Sequence, residues 1–298
     1  MTGLWNSALA LLVVTGGLLG LTLPFARIAT DAGVPALIWS FVISAGAGGV
    51  LLAALLASGG RMGLDGTRLR YFAVVAAISY AIPNFLMFSA IPHLGAGYTG
   101  VMFTLTPILT LIMSIGTGVQ RPNALGVAGI TVGFAGALLV ATTRGEVGRP
   151  ADLVWVAVGL AIPVFLAAGN VYRSWGWPRG AGTIELAAGS HLASAVMTLA
   201  LLLALGQGGA FALLPGMPWL VAAQVAAAAG MFAFFFRLQA VGGPVYLSQI
   251  GYVAAAVGLF SGTVFLGERY SLLTWAGALI VTAGVLMTSK AQAQASKA

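Results

Sequence analysis

The polar side chains that could do chemistry in this chain are mostly uncharged, and they stand inside long apolar stretches. Tyr80 and Asn84 are four residues apart, so they share one face if that stretch is helical. Gln224 and Gln249 fall near the middle of two later stretches. Burying an amide without partners costs about 1–3 kcal/mol. Such amides therefore either bond to neighbouring helices or face a cavity, where they would bind a solute through hydrogen bonds.

Other polar and aromatic residues extend this set of candidates. Tyr98 and Met102 share a helical face, and Asn170 lies near the end of a sixth stretch, where it could meet a solute or bond to helix-end backbone. A pocket of tyrosine, methionine and amide groups suits a neutral, partly apolar solute such as a zwitterion. The candidate substrate-binding residues are Tyr80, Asn84, Tyr98, Met102, Asn170, Gln224, Tyr246, Gln249 and Tyr252.

Charged and catalytic chemistry has little support in the sequence. The six carboxylates all fall at predicted helix ends or in loops, whereas an ion relay would place one near mid-membrane. Cysteine is absent, which excludes thiolate metal sites and cysteine nucleophiles. His93 and His191 have no partner in a metal-ligand spacing, although a protonation role for His191 stays open. We therefore expect no catalytic site, no metal and no cofactor, and we expect Glu268 to act as a helix-end anchor.

The composition decides which elements must position these groups. The chain of 298 residues is 60% hydrophobic and only 6% charged, whereas a soluble domain carries roughly 25% charged residues. A bilayer is crossed by helices of about 20 apolar residues. The sequence thus predicts an all-α polytopic membrane protein with ten transmembrane helices, near 4–25, 34–57, 70–91, 95–116, 123–143, 152–172, 183–206, 217–237, 243–266 and 270–289.

The distribution of basic residues predicts the orientation. With the amino terminus inside, nine Lys and Arg residues face the cytoplasm and four face outward, which is the asymmetry expected of a cytoplasmic face. Both termini are then cytoplasmic. The chain has no basic cluster with interleaved aromatic residues, so we expect no nucleic-acid partner.

The sequence repeats itself at an interval of 148 residues. The segment AGITVGFAGAL at 128–138 returns as AGALIVTAGVL at 276–286, and Gly95, Tyr98 and Leu111 fall on Gly243, Tyr246 and Leu259. The repeat predicts two units, 1–145 and 146–298, each with five crossings. An odd number of crossings inverts the second unit, and inverted repeats are characteristic of secondary transporters. The small residues of the two segments are predicted to pack each half together.

One segment carries a family resemblance. FLGERYSLLTWAGALIVTAGVLM, residues 265–287, resembles the closing segment of EamA-type transporters in the drug/metabolite transporter superfamily, although Gln120 stands in the first half where the second has Glu268. The polar and aromatic content is most similar to aromatic amino-acid exporters of the YddG type. The resemblance implies a ten-helix basket whose cavity is lined by helices 3, 4, 8 and 9 with helices 1 and 6 alongside. It also implies export of amino acids, aromatic ones among them, across the cytoplasmic (inner) membrane.

These observations predict a secondary transporter that exports amino acids, aromatic and other neutral ones, or related small metabolites by alternating access. Its partners would be the small-molecule substrate and the lipid bilayer. A drug or nucleotide-sugar carrier is the alternative within transport, but a nucleotide-sugar site would require more buried cations. A channel is a further alternative, although the sequence holds no regular ring of polar residues.

Overall fold

The computed structural model describes residues 5, 7–118, 124–143, 145–146 and 149–295. Its long elements are ten helical runs: α1 (Ala8–Asp31), α2 (Ala36–Ala57), α3 (Gly66–Leu94), α4 (Ala96–Gly116), α5 (Ala124–Thr143), α6 (Leu153–Trp175), α7 (Thr183–Ala204), α8 (Pro218–Ser248), α9 (Ile250–Phe265) and α10 (Leu272–Ala295). A 3₁₀ segment, Gln207–Gly216, joins α7 to α8. Two short strands, β1 (Gly145–Glu146) and β2 (Arg149–Pro150), pair antiparallel between α5 and α6.

The helices have the length and composition of membrane spans. In the described part of the chain, seven are long and apolar enough to cross a hydrocarbon core, namely α1 to α4 and α6 to α8. The apolar segments of α5, α9 and α10 are shorter, at 10–17 residues. The all-helical class and the membrane-spanning helices are therefore confirmed, whereas ten crossings remain a prediction.

Two glycines mark corresponding bends in the chain. Gly95 separates α3 from α4 with φ 84° and ψ 157°. Gly243 kinks α8 with φ 71° and ψ −179°, five residues before that run ends. Side chains with a Cβ rarely adopt positive φ, so glycine is the residue that permits both bends. These are the two glycines that the 148-residue repeat superimposes.

Helix packing joins the beginning and the end of the chain. α5 packs along α10, α2 packs along α7, and α1 lies against both α8 and α9. In the same way, α6 lies against α3 and α4, and α4 lies against α9. Each of these contacts joins a helix of the first half, α1 to α5, to a helix of the second half, α6 to α10. The core consequently lies between the two halves of the sequence.

The small-residue faces of α5 and α10 touch each other. A Cβ on Gly136 would lie 2.8 Å from the carbonyl oxygen of Gly277, and a Cβ on Gly284 would lie 2.6 Å from that of Gly129. Backbones can approach this closely only where no side chain intervenes. The prediction that these faces pack each half internally is therefore wrong, because they join one half to the other.

Candidate functional site

A cavity of about 780 Å³, counted with the part that opens to solvent, lies inside the helical bundle. Side chains from α1, α3, α4, α6, α8 and α9 line it, and α2 adds Ile43. The six helices are those that the family resemblance implies. The wall is mostly apolar, with polar groups concentrated on α3 and α6. A concave apolar site with a few convergent polar groups is the usual form of a small-molecule site.

Irregular helical segments face this cavity. Residues Ala76–Ala81 of α3 form a π-helical turn that ends two residues before Pro83. In α4, Phe103–Leu105 is a 3₁₀ segment, and Gln249 interrupts the path from α8 to α9. π-turns and 3₁₀ turns inside helices recur at functional sites. Proline also removes a backbone donor, which accounts for irregular hydrogen bonding in α3 next to the cavity.

Arg173 of α6 is the charged residue of the cavity wall. Its side chain is 1% exposed, although it stands only two residues before the helix ends at Trp175. The guanidinium donates to Oε1 of Gln239 at 2.9 Å, to the hydroxyl of Ser79 and to Oδ1 of Asn170. Sequence reasoning counted Arg173 among the cytoplasmic basic residues and did not select it for the site. The polar triplet Asn170, Arg173 and Ser174 on an apolar helix was the available signal.

No carboxylate balances this buried charge within the described residues. The ion pairs there join Arg27 to Asp31 and Glu268, and Arg68 to Asp65 and Glu185. The Arg173 guanidinium instead lies over the ring of Phe235, 4.6 Å from its centroid. A guanidinium stays protonated in proteins, and burying a charge is costly unless it is paired and hydrogen-bonded. The cavity is thus electropositive around Arg173.

Three of the predicted site residues line the cavity. Tyr80, Asn84 and Asn170 all do so. The Tyr80 hydroxyl and Nδ2 of Asn84 have no hydrogen-bond partner among the described protein atoms, and neither has Oγ1 of Thr106, which also lines the wall. Asn170, by contrast, receives a hydrogen bond from Arg173 and donates one to Thr110 at 3.3 Å. The three unpartnered groups thus belong to residues of the cavity wall, while Asn170 positions Arg173.

His191 of α7 supports the cavity from behind. Its ring stacks on Tyr80, with centroids 4.0 Å apart, and lies 3.8 Å from the centroid of Phe232. The imidazole is 0% exposed, and neither ring nitrogen has a hydrogen-bond partner among the described atoms. Tyr80 and Phe232 line the cavity, so His191 fixes two of its wall residues.

The two predicted glutamines lie beside the cavity and are not part of its lining. Gln224 is 0% exposed, and both polar atoms of its side chain lack partners among the described atoms. It precedes the lining residue Ala228 by one helical turn. Gln249 is 7% exposed, its Nε2 has no partner, and it stands between two lining residues, Ser248 and Ile250. Along the chain, Gln249 is the nearer of the two glutamines to lining residues.

The remaining four predicted residues also lie outside the lining. Tyr98 is fully buried, and its hydroxyl donates to the carbonyl oxygen of Val140 at 2.8 Å. Met102 is buried in the same apolar cluster as Tyr98. Tyr246 is half-buried, and the half-buried Tyr252 donates to a carbonyl of α4. In the observed conformation Tyr98 and Tyr252 bond to neighbouring helices and Met102 packs in the apolar cluster.

Glu268 anchors the start of α4, as the sequence predicts for a helix-end residue. Its carboxylate is 3% exposed and accepts the backbone N–H groups of Ala96 at 2.8 Å and Gly97 at 3.1 Å. The Tyr270 hydroxyl also donates to it, and Arg27 lies 3.7 Å away. Burial and the neighbouring carboxylate raise the pKa of the Tyr270 hydroxyl well above its usual value. A negative charge at a helix N-terminus is stabilising.

Comparisons with known proteins give one family match and a solved structure of similar fold. Residues 6–142 match the profile of the EamA-like transporter family. A comparison with curated proteins finds no match. A solved structure titled "Crystal structure of protein" superimposes with a TM-score of 0.65 at 19% identity, covering 93% of this chain and 98% of that one. At this identity the likeness shows a shared fold.

Proposed function

We propose that this chain is a secondary transporter of the EamA-like kind, which exports amino acids or related small metabolites across the cytoplasmic membrane by alternating access. The observation that carries the proposal is the cavity enclosed by helices from both halves, with unpartnered polar groups in an apolar wall. The match of residues 6–142 to a transporter family supports the same conclusion. Tyr80, Asn84 and Asn170 remain candidate binding residues, and Arg173 joins them.

The proposal includes two inverted repeats, 1–145 and 146–298. Reciprocal contacts support it, because Gly129 meets Gly284 and Gly136 meets Gly277, and each residue of one pair lies 148 positions from one of the other. Such exchange of contacts is what a two-fold axis produces. The 3₁₀ segment of α4 and the interruption at Gln249 between α8 and α9 fit the discontinuous helices of such transporters.

Counterflow tests the transport function. Purified protein in liposomes is preloaded with an unlabelled solute, and uptake of the labelled solute is followed from a panel of amino acids and small carboxylates. A carrier exchanges internal for external solute and transiently accumulates label, whereas a channel lets both gradients collapse. Accumulation above the external concentration supports the proposal. Equilibration without overshoot for every permeating solute indicates a channel, and absence of flux for the whole panel contradicts the proposal.

Reporter fusions test the orientation, which the nine-to-four excess of basic residues motivates. A reporter after Ala298 should be cytoplasmic, and one inserted between Gly145 and Arg149 should be external. Both reporters on the same side would contradict the inverted arrangement of five crossings in each half.

A further inference from the structure

Arg173 has hydrogen-bonding capacity left over in the cavity. A guanidinium carries five N–H groups, and three of them donate to Gln239, Ser79 and Asn170. The bond to Gln239 uses Nε, and each terminal nitrogen makes one bond. One N–H on each terminal nitrogen therefore remains for another acceptor. Two N–H groups on one planar guanidinium can bind a carboxylate bidentately.

The charge balance of the wall favours a net negative occupant. Arg173 is the one charged residue among the lining side chains of the described cavity, and none of them is acidic. All of its protein partners are neutral oxygen atoms and an aromatic face. An anion would therefore complete the ion pair that the protein itself does not supply. An ammonium group near Arg173 would be repelled and would find no carboxylate in the wall.

The other lining residues indicate what kind of solute body fits the cavity. Met231, Phe232 and Phe235 provide an apolar and aromatic surface next to Arg173. The Tyr80 hydroxyl, Nδ2 of Asn84 and Oγ1 of Thr106 have no partner among the described atoms, so a solute could supply one. A phenyl or aliphatic body fits such a surface.

We propose that Arg173 binds the carboxylate of the transported solute, and that the cavity prefers a net-anionic organic carboxylate to a zwitterion with the same body. This inference rests on the proposed function, because it takes the cavity as the transport site. It shifts the expected substrate class from neutral amino acids toward apolar monocarboxylates. Ser79, Asn170 and Gln239 are then positioning residues that hold the guanidinium in place.

A matched set of ligands tests the preference on the wild-type protein. 3-Phenylpropanoate is an anion, phenylalanine is a zwitterion and phenylalaninamide is a cation, and all three carry the same phenyl body. Equilibrium binding to the purified protein should follow the order anion, zwitterion, cation. Because hydrogen bonds to charged groups are the strong ones, we expect steps on the order of 10-fold or more. Equal affinities, or tighter binding of phenylalanine than of phenylpropanoate, would overturn the inference.

Variants assign the preference to Arg173. Arg173→Gln should weaken 3-phenylpropanoate binding by on the order of 10- to 100-fold, and Arg173→Lys should restore part of it because the charge is kept and the planar fork is lost. Arg237→Gln is the matched control, since this arginine bonds to the carbonyl of Trp5 and does not line the cavity. If Arg173→Gln does not fold, Arg173→Lys and the wild-type ligand series decide the question. Unchanged affinity in a folded Arg173→Gln protein would refute the assignment.

The binding experiment and the counterflow experiment can fail independently of each other. Counterflow of any panel solute together with unchanged binding in Arg173→Gln would leave the transporter intact and remove the carboxylate site. Conversely, Arg173-dependent binding of 3-phenylpropanoate without exchange of any solute would establish an anion site and overturn the proposed transport function.

Discussion

The hydroxyl of Tyr252 donates a hydrogen bond to the carbonyl oxygen of Thr104 at 3.3 Å, and the two residues stand 148 positions apart. Phe103 and Gly251 are separated by the same interval, and a Cβ on Gly251 would lie 2.6 Å from the Phe103 carbonyl oxygen. Residues next to a two-fold axis touch their own equivalents. The proposed axis therefore passes between α4 and α9 at the edge of the cavity, where Phe103 and Gly251 both belong to the lining.

Gly251→Ala should disturb this crossing. The added Cβ would meet backbone, which cannot rotate away, so α4 and α9 must separate; overpacking of this kind costs about 1–3 kcal/mol. The melting temperature of the purified protein should fall, and its counterflow activity should decrease. Gly17→Ala in α1 is the control, since a Cβ there meets nothing within 4 Å. Equal melting temperatures of the two variants would show that the close approach of α4 to α9 is not needed for stability.

Glu268→Gln should loosen the start of α4. Glutamine has one acceptor oxygen where the carboxylate uses two for the N–H groups of Ala96 and Gly97, and it lacks the charge that favours a helix N-terminus. We expect a loss of about 1–3 kcal/mol, measured by thermal unfolding in detergent. The exposed carboxylate Asp31 offers the comparison, because Asp31→Asn removes the same charge near Arg27. A Glu268→Gln protein as stable as Asp31→Asn would contradict the anchoring role.

Gln249 and Gln224 form a matched pair. Gln249→Leu should abolish transport while the folded yield stays intact, since Nε2 of Gln249 has no partner among the described atoms and its neighbours Ser248 and Ile250 line the cavity. Gln224→Leu should leave transport unchanged and raise stability, because both of its buried polar atoms lack partners in the described part of the chain. Counterflow and yield measured on both variants check this. Normal transport by Gln249→Leu would make that residue structural as well.

Tyr98→Phe should cost stability without changing solute affinity. The variant removes one hydrogen bond to the carbonyl oxygen of Val140, which also accepts from Oγ1 of Thr143, and the net loss of one such bond is about 1 kcal/mol. Tyr246→Phe should be nearly neutral, because within the described part of the chain the Tyr246 hydroxyl makes no hydrogen bond to another helix. The two tyrosines coincide in the repeat, and they could narrow opposite mouths of the pathway in other states.

Labelling tests this gating hypothesis for the same pair. Tyr98→Ala should favour outward-open states and Tyr246→Ala inward-open ones, reported by a polar thiol reagent at a cysteine placed at Gly100 or Ser248. The chain has no native cysteine to interfere. Opposite shifts in the two variants support gating. Identical labelling of both variants and the wild type would restrict Tyr98 and Tyr246 to helix packing.

The sequence predicted the helices better than it predicted which side chains face the cavity. Composition locates spans because crossing lipid demands apolar residues along the whole helix. The same demand removes the polar face by which a soluble helix reveals its orientation, so Tyr98 and Gln224 could not be distinguished from Tyr80 and Asn84. Arg173 was missed because basic residues near helix ends normally reach water. Only the fold brings Ser79 and Gln239 to its guanidinium.

The glycine contact between α5 and α10 implies that the covalent link between the halves is dispensable. Gly136 against Gly277 and Gly129 against Gly284 bind an early helix to a late one, and α2 with α7 does the same on another face. The connecting hairpin, β1 with β2, pairs only two residues on each side. A linker mainly raises the effective concentration of surfaces that already fit. Residues 1–146 and 149–298, co-expressed as two polypeptides, should therefore find each other in the bilayer and assemble into one working carrier.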